Sequence, residues 1–220
     1  MFNVEADSCF DTLSIKENMS CMPSISFDCV DIANRLKKLN VNKSDGPDGI
    51  HPRVLYENSE VLAYPLKLIF EHSFKLNTLP LDWRSGNITT IFKKGSKLDA
   101  GNYRPVSITC ICCKIMESII RQSITDHLID NNVFNNNQFG FIKGRLTVMQ
   151  LLKVMDMWTE SLESDGQIDV IYTDLEKAFD KVPHKRLINK CINKLINKLY
   201  SYKINPDVIK WIKSFLLDRR

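Results

Sequence analysis

No run of about 18 apolar residues occurs in these 220 residues, so the sequence offers no membrane-crossing helix. The opening MFNVEADSCF carries acids but no basic n-region, so it does not read as a secretory signal. Both absences lead to the expectation of a soluble protein inside the cell with no membrane partner. The seven cysteines are odd in number, and none stands in a C-x-x-C arrangement followed by a His-x-x-x-His, so a zinc module is not expected. Cys110, Cys112 and Cys113 sit in an apolar run and read as small buried hydrophobes of a reducing compartment. The sequence also contains no Asp-Asp pair anywhere.

What is present is enough apolar material for a real core: 44% hydrophobic and 9% aromatic residues in 220, the size of one or two domains. The net charge of +4 is unevenly spread. Residues 1–34 hold six acids against Lys16, net −5, and residues 181–220 hold eleven Lys/Arg against Asp207 and Asp218, net +9. The middle is therefore neutral. A basic end suits a polyanionic partner, although a solvated lysine-rich helix face would produce the same charge.

Along the chain, the acidic residues 1–34 lack a clean period and read as a tail or loosely docked arm. Val30, Ile32, Ala33, Leu36 and Leu39 have helical spacing from Asp28 to Leu39. The loop KSDGPDGIHP follows, with two glycines and two prolines that cannot continue a helix; it has a fixed shape or none. Val61 through Leu76 predicts a long helix, ending before Pro80. NITTIF, residues 87–92, is β-branched and aromatic and predicts a strand; KKGSKLDAGN is a polar connection, and extended structure resumes at Tyr103. The result is a hairpin-like flap carrying Lys93, Lys94, Lys97 and Arg104.

Residues 111–129 predict an amphipathic helix, then an Asn-rich loop at 131–137. A further helix is predicted from Thr147, as N-cap, with Met155 and Trp158 in the core. IDVIYTD, residues 168–174, predicts a strand apolar on both faces and therefore buried. The triplet Ile-Asn-Lys recurs at 188, 192 and 196, giving a helix with apolar and basic stripes and the look of a short tandem duplication.

The best site candidate is YTDLEKAFD, residues 172–180. A carboxylate at the C-terminal end of a buried strand can offer oxygens to a hard divalent cation, and paired cations can clamp the attacking and leaving oxygens of a nucleotidyl transfer. Asp174 fits one such carboxylate. Thr173 to Glu176 also fits a capping box, a commoner pattern, and on spacing alone both readings stand. The second candidate is the basic flap together with GFIKGR, residues 140–145. Arg offers a planar fork and Lys a compact charge to phosphate, with glycines that admit close backbone approach, yet any surface loop can carry two lysines.

Taken in order, GPDGIHP (46–52), NYRPVSI (102–108), QFGFIKGRLT (138–147) and YTDLEKAFDKVPH (172–184) closely resemble successive N-terminal blocks of non-LTR (LINE-type, jockey-like) retrotransposon reverse transcriptases. The resemblance spans residues from about 35 to 220. It implies an RNA-directed DNA polymerase, a nucleotidyltransferase, with RNA template, DNA primer and deoxynucleotides as partners and Mg2+ as cofactor. The implied fold is α+β: fingers and a partial palm of a right-hand polymerase, helix-rich with a small antiparallel sheet. In those terms residues 1–34 are an arm, 35–165 a fingers-like region and 166–220 the start of the palm. Asp174 corresponds to the family's first metal-binding aspartate, with the Leu175 carbonyl as a further ligand. Phe179 corresponds to the residue below the nucleotide sugar that disfavours a 2′-hydroxyl. Lys93 and Arg104 correspond to residues that hold the incoming triphosphate, and Lys143, Gly144 and Arg145 to a block near the template.

The pattern also breaks. The family's aromatic-x-Asp-Asp hairpin has no counterpart here, so a truncated polymerase is expected, inactive as this chain alone because a lone Asp174 cannot fix two cations. Phe139, Ile142 and Leu146 stand where the family commonly has His, Arg and Ser or Thr, and Lys203 where it has a turn glycine. The competing expectation is a catalytically inert nucleic-acid-binding remnant that grips backbone with steep salt dependence.

Overall fold

The computed structural model describes residues 19–173 and 192–217. Helix α1, Cys29–Leu36, begins where the Asp28 carboxylate accepts the Asp31 amide at 3.1 Å, satisfying an amide that the first turn leaves without a partner. Its inward stripe is Ile32, Ala33 and Leu36. The helix stops three residues short of the expected Leu39, because the Leu39 amide turns back to the Leu36 carbonyl in a tighter bond. Arg35 then links two elements: Nε donates to Asp31 at 2.8 Å and Nη1 to Ser118 at 2.9 Å.

The Gly/Pro loop after α1 takes the fixed shape of its two alternatives. Gly46 is buried, and a Cβ there would lie 2.8 Å from the Cys110 Cα. Asp48 accepts a hydrogen bond from the Cys110 thiol at 2.7 Å. The loop leads into α2, Pro52–Glu57, with Pro at its first position, where no amide is needed. Helix α3, Ser59–Leu76, follows directly and closes on Asn77 in the left-handed conformation (φ 52°). The short α4, Leu81–Arg84, buries Trp83.

Strands β1, Gly86–Phe92, and β2, Tyr103–Thr109, form an antiparallel pair, in the place the sequence predicts. Helix α5, Ile111–Asp130, is the central element of the core, burying Cys112, Cys113, Ile115, Met116, Ile119 and Ile120. Helix α6, Thr147–Glu163, comes next, then α7, Ile192–Ser201, and α8, Pro206–Leu217.

One contiguous core joins α1, α3, α5 and α8. Its aromatic centre is Phe70, in edge-to-face contact with Phe27 (centroids 5.7 Å) and Trp83 (5.9 Å). Ser73 is the polar group buried there. Its hydroxyl donates to the Thr78 carbonyl at 2.6 Å and accepts from the Trp211 indole at 3.3 Å, so α3 and α8 are tied through a satisfied hydroxyl. Of residues 19–34, Met19, Met22, Phe27, Ile32 and Ala33 are buried in this assembly, and residues 1–18 lie outside the described residues. The Met22 amide bonds the Lys203 carbonyl at 3.0 Å and the Lys203 ammonium bonds the Met19 carbonyl at 2.7 Å.

Three expectations do not hold. Helix α6 forms, but it buries no residue: Met155 is 59% exposed and Trp158 only half-buried, so neither is core. A 3.6-residue apolar period reports amphipathicity, and burial requires a partner that the described residues do not supply. Thr147 is the first helical residue rather than the N-cap, which is Leu146 and makes no side-chain cap bond. Residues 168–173 form no strand, and Ile171 and Tyr172 are 86% and 84% exposed. A strand needs a neighbouring edge for its amides, and among the described residues this segment joins neither outer edge of the β1–β2 pair.

Candidate functional site

Most of the hairpin is exposed. Every residue from 87 to 101 is exposed, because β1 and β2 pair only with each other and nothing described covers either face. Side chains alternate along a strand and cross-strand partners share a face, so the register fixes which cations stand together. Ile91 pairs with Arg104 and Phe92 with Tyr103, and the Lys93 amide bonds the Asn102 carbonyl at 2.8 Å, extending the ladder by one residue. Lys93, two residues beyond Ile91, therefore shares a face with Arg104.

The opposite face is aromatic. Phe92 and Tyr103 meet edge to face at 5.5 Å, with the Lys97 ammonium 5.9 Å from the Phe92 ring centre. The connecting loop is built rather than slack. The Tyr103 hydroxyl donates to the Lys97 carbonyl at 2.9 Å, the Asn102 amide side chain to the Ser96 carbonyl at 3.0 Å, and Asp99 accepts the Gly101 amide at 2.8 Å. Gly95 at φ +90° makes the turn that a side chain would resist. The result is an exposed cationic tip whose connecting loop is held by its own hydrogen bonds.

Lys143, Gly144 and Arg145 lie on a second loop, between α5 and α6. Gly144 adopts φ +85°. Arg145 is not free: its Nη1 donates to the Asn135 and Gln138 carbonyls, each at 2.6 Å, so part of the guanidinium closes the Asn-rich loop. Lys143 is exposed. The bonds of this loop run to residues 135–138 and not to the hairpin. Asp174, Leu175 and Phe179 lie outside the described residues, and so does most of the Thr173 to Glu176 capping box. Among the described residues no three His, Cys, Asp or Glu side chains gather as a metal site.

Sequence reasoning missed the contact between Asp48 and Cys110, 62 residues apart, which fastens the first recognised block to the start of α5. Hydrogen bonding with Cys112, burial and the Asp48 carboxylate together hold the Cys110 thiol well above the ordinary thiol range. Cys112, hydrogen-bonded to Cys110, is pulled below that range. It also missed Lys153, whose ammonium donates to the Asn137 side chain at 2.6 Å and ties the Asn-rich loop to α6. No local pattern announces either contact; only the sixteen-residue return of the chain brings Lys153 to Asn137.

Residues 91–219, more than half of the chain, match the family model described as reverse transcriptase (RNA-dependent DNA polymerase). The hairpin tip, both loops and the segment around Asp174 fall inside that span. Similar proteins include the probable RNA-directed DNA polymerase from transposon BS of Drosophila melanogaster, 27% identical over 86% of this chain. The RNA-directed DNA polymerase from mobile element jockey of the same fly is 28% identical over 86%. The transposon TX1 uncharacterized 149 kDa protein of Xenopus laevis is 24% identical over 84%. The chain spans about a fifth of the length of the two fly relatives and 13% of the Xenopus one.

Proposed function

The chain belongs to the reverse transcriptase (RNA-dependent DNA polymerase) family, and from that premise we propose that it is the nucleotide- and template-facing part of a non-LTR retrotransposon polymerase. In right-hand terms it comprises fingers and the start of the palm. The observation that carries this reading is the hairpin register, which stands Lys93 and Arg104 on one exposed face beside a hydrogen-bonded turn. There they hold the triphosphate of an incoming deoxynucleotide: Arg104 through paired N–H donors, Lys93 as a compact charge. The loop bearing Lys143, Gly144 and Arg145 receives the RNA template, and Phe179, outside the described residues, takes the role of disfavouring a 2′-hydroxyl on the nucleotide sugar.

Asp174, with the Leu175 carbonyl, is the residue proposed to hold Mg2+. When bound, the ions neutralise and polarise the transferring phosphoryl group. The described residues themselves offer no cluster for a cation, and the sequence holds no Asp-Asp pair, so no catalytic step is assigned to these 220 residues. Their own contribution is binding and orientation. Extension of a primed RNA template with deoxynucleotides and Mg2+ is expected to be absent with this chain alone. Extension abolished by Asp174→Ala would overturn that expectation. Affinity for a deoxynucleoside triphosphate should fall on replacing Lys93 and Arg104 by Ala, and the loss should shrink as salt rises because both side chains are exposed.

The second reading, an inert nucleic-acid-binding remnant, is favoured by Phe139, Ile142 and Leu146 at positions where the resemblance expects His, Arg and Ser or Thr. It predicts the same binding, with no Mg2+-dependent gain in deoxynucleotide affinity and no effect of Asp174→Ala. Titrating labelled deoxynucleotide with and without Mg2+ separates the two.

A further inference from the structure

The outer edge of β1 is an open row of hydrogen-bonding groups. In an antiparallel pair, alternate residues turn their amides and carbonyls toward the partner strand and the others turn theirs away. The Lys93 amide bonds the Asn102 carbonyl at 2.8 Å, so in the observed register Asn87, Thr89 and Ile91 face β2, while Gly86, Ile88, Thr90 and Phe92 face outward. Among the described residues no strand pairs with that row. The two edges of the hairpin differ. The outward positions of β2 include Pro105, which has no amide to offer. Charge, proline or a bulge ordinarily keeps an edge from pairing with another chain. β1 has none of the three: its register is unbroken, it lacks proline, and no ionisable side chain stands between Arg84 and Lys93. Ile88 and Ile91 are 70% and 54% exposed along it.

This edge is complementary to itself. Antiparallel pairing of two copies about a two-fold axis at Thr90 sets the outward amides of each against the outward carbonyls of the other. Thr90 then faces Thr90, and Ile88 faces Phe92 of the second copy, an aromatic and β-branched pair. On the opposite face Ile91 meets Thr89 and Lys93 meets Asn87, so no like charges stand opposite each other. Moving the axis to Thr89 would place Phe92 opposite Gly86 and forfeit the best pair. About Thr90, Ile88 instead extends the apolar face on which Phe92 and Tyr103 already meet. Charge complementarity selects the antiparallel sense. It carries Lys93, Lys94 and Lys97 of each copy to the far end of the other's strand, where Asp82 is exposed and Arg84 is engaged with the Leu79 carbonyl. Parallel pairing would crowd the two lysine-bearing turns together.

We propose that the outer edge of β1 is a self-association surface, at which two copies of this chain join their hairpins into one four-stranded sheet with the two β1 strands at its centre. The assembly closes at two copies, because the edges left over are those where Pro105 withholds a donor. A strand of seven residues is about 24 Å long, too short to supply the ~1,200–2,000 Å² of a stable complex, so the dimer is reversible and micromolar or weaker. Both faces of the sheet stay open, and Lys93 and Arg104 keep the side that the nucleotide role requires.

Sedimentation velocity of the full chain, free of nucleic acid, from about 1 to about 300 µM should show a reversible monomer–dimer equilibrium. Thr90→Lys and Thr90→Glu each set like charges across the axis and should weaken the dimer by at least about tenfold. An equimolar mixture of the two variants sets opposite charges there and should restore association to within about threefold of the unaltered chain. Thr90 is exposed and turned away from β2, so an unchanged urea midpoint will show that both variants keep the fold. A chain that stays monomeric over the whole range overturns the proposal. So do dimers undiminished in both variants, a mixture that fails to associate, or growth beyond two copies. Association lost in Met155→Lys but kept in Thr90→Lys would place the contact on α6 and overturn it as well. Lys93→Ala, which probes the nucleotide role, faces only Asn87 across the edge and should leave the dimer within about threefold, so the two conclusions fail separately.

Discussion

Helices α5 and α6 are neighbours in sequence, similar in length and both apolar on one side, yet they meet opposite fates. α5 buries eight residues and holds the core together; α6 buries none, with Val148, Leu151, Leu152, Met155 and Leu162 all exposed. The difference lies outside the helices. α5 lies where α1, α3 and α8 already converge around Phe70, while no residue of α6 belongs to that cluster. Amphipathic spacing states which face wants a partner, and only the surrounding chain decides whether one is there.

That contrast can be broken most sharply at Phe70. Phe70→Ala removes the ring that both Phe27 and Trp83 touch and should cost about 3–5 kcal/mol in urea unfolding, enough to abolish cooperative folding of a marginal chain. Retention of wild-type stability would mean that the core is not centred there. Ser73→Ala should cost about 1–3 kcal/mol, since it leaves the Trp211 indole and the Thr78 carbonyl without their shared buried partner. Restoration of that stability by Trp211→Phe in the same chain would identify the hydrogen bond, rather than packing, as the cause.

Lys203 gives a smaller and two-sided effect. It sits at φ +51°, where a non-glycine residue is strained, and its ammonium offsets the strain by bonding the Met19 carbonyl. Lys203→Ala should cost about 1 kcal/mol, the strain remaining and the bond lost. Lys203→Gly should come out near zero, because relief of the strain and loss of the bond are of similar size. Thermal denaturation of the pair reads the difference. At the other end of the scale, Met155→Lys on α6 should change stability by no more than about 0.5 kcal/mol while improving solubility. A loss above 2 kcal/mol would show that α6 is covered in solution and would remove the contrast with α5.

Much of the fold was legible in the residues. The β-branched run at 87–92, the turn-rich decapeptide after it and the return at Tyr103 foretold the hairpin, because strand and turn chemistry are local. The helices α1, α3, α5 and α6 were likewise foretold by period. What failed was burial: Met155 and Trp158 were expected in the core, and residues 168–174 in a covered strand of which the described part, 168–173, forms none, on the ground that apolar residues imply cover. The site divides in the same way. Lys93 and Arg104 were visible as residue types, but their common face depends on the pairing of Ile91 with Arg104. Arg145 was visible as a cation, and its bonds to two carbonyls were not.

The sequence by itself determined the order of blocks that marks the family, the helical and extended periods, the cationic residues of the hairpin and the absence of an Asp-Asp pair. Each of these is written in neighbouring residues, within reach of one turn or one strand. Tertiary structure alone decided that the Gly/Pro loop is pinned to Cys110 through Asp48, that residues 19–28 close over Lys203, and that α5 is core while α6 is not. Those outcomes join positions 62 to 184 residues apart. They follow from burial and hydrogen-bond satisfaction over the whole assembly, and no stretch of chain contains its own partner.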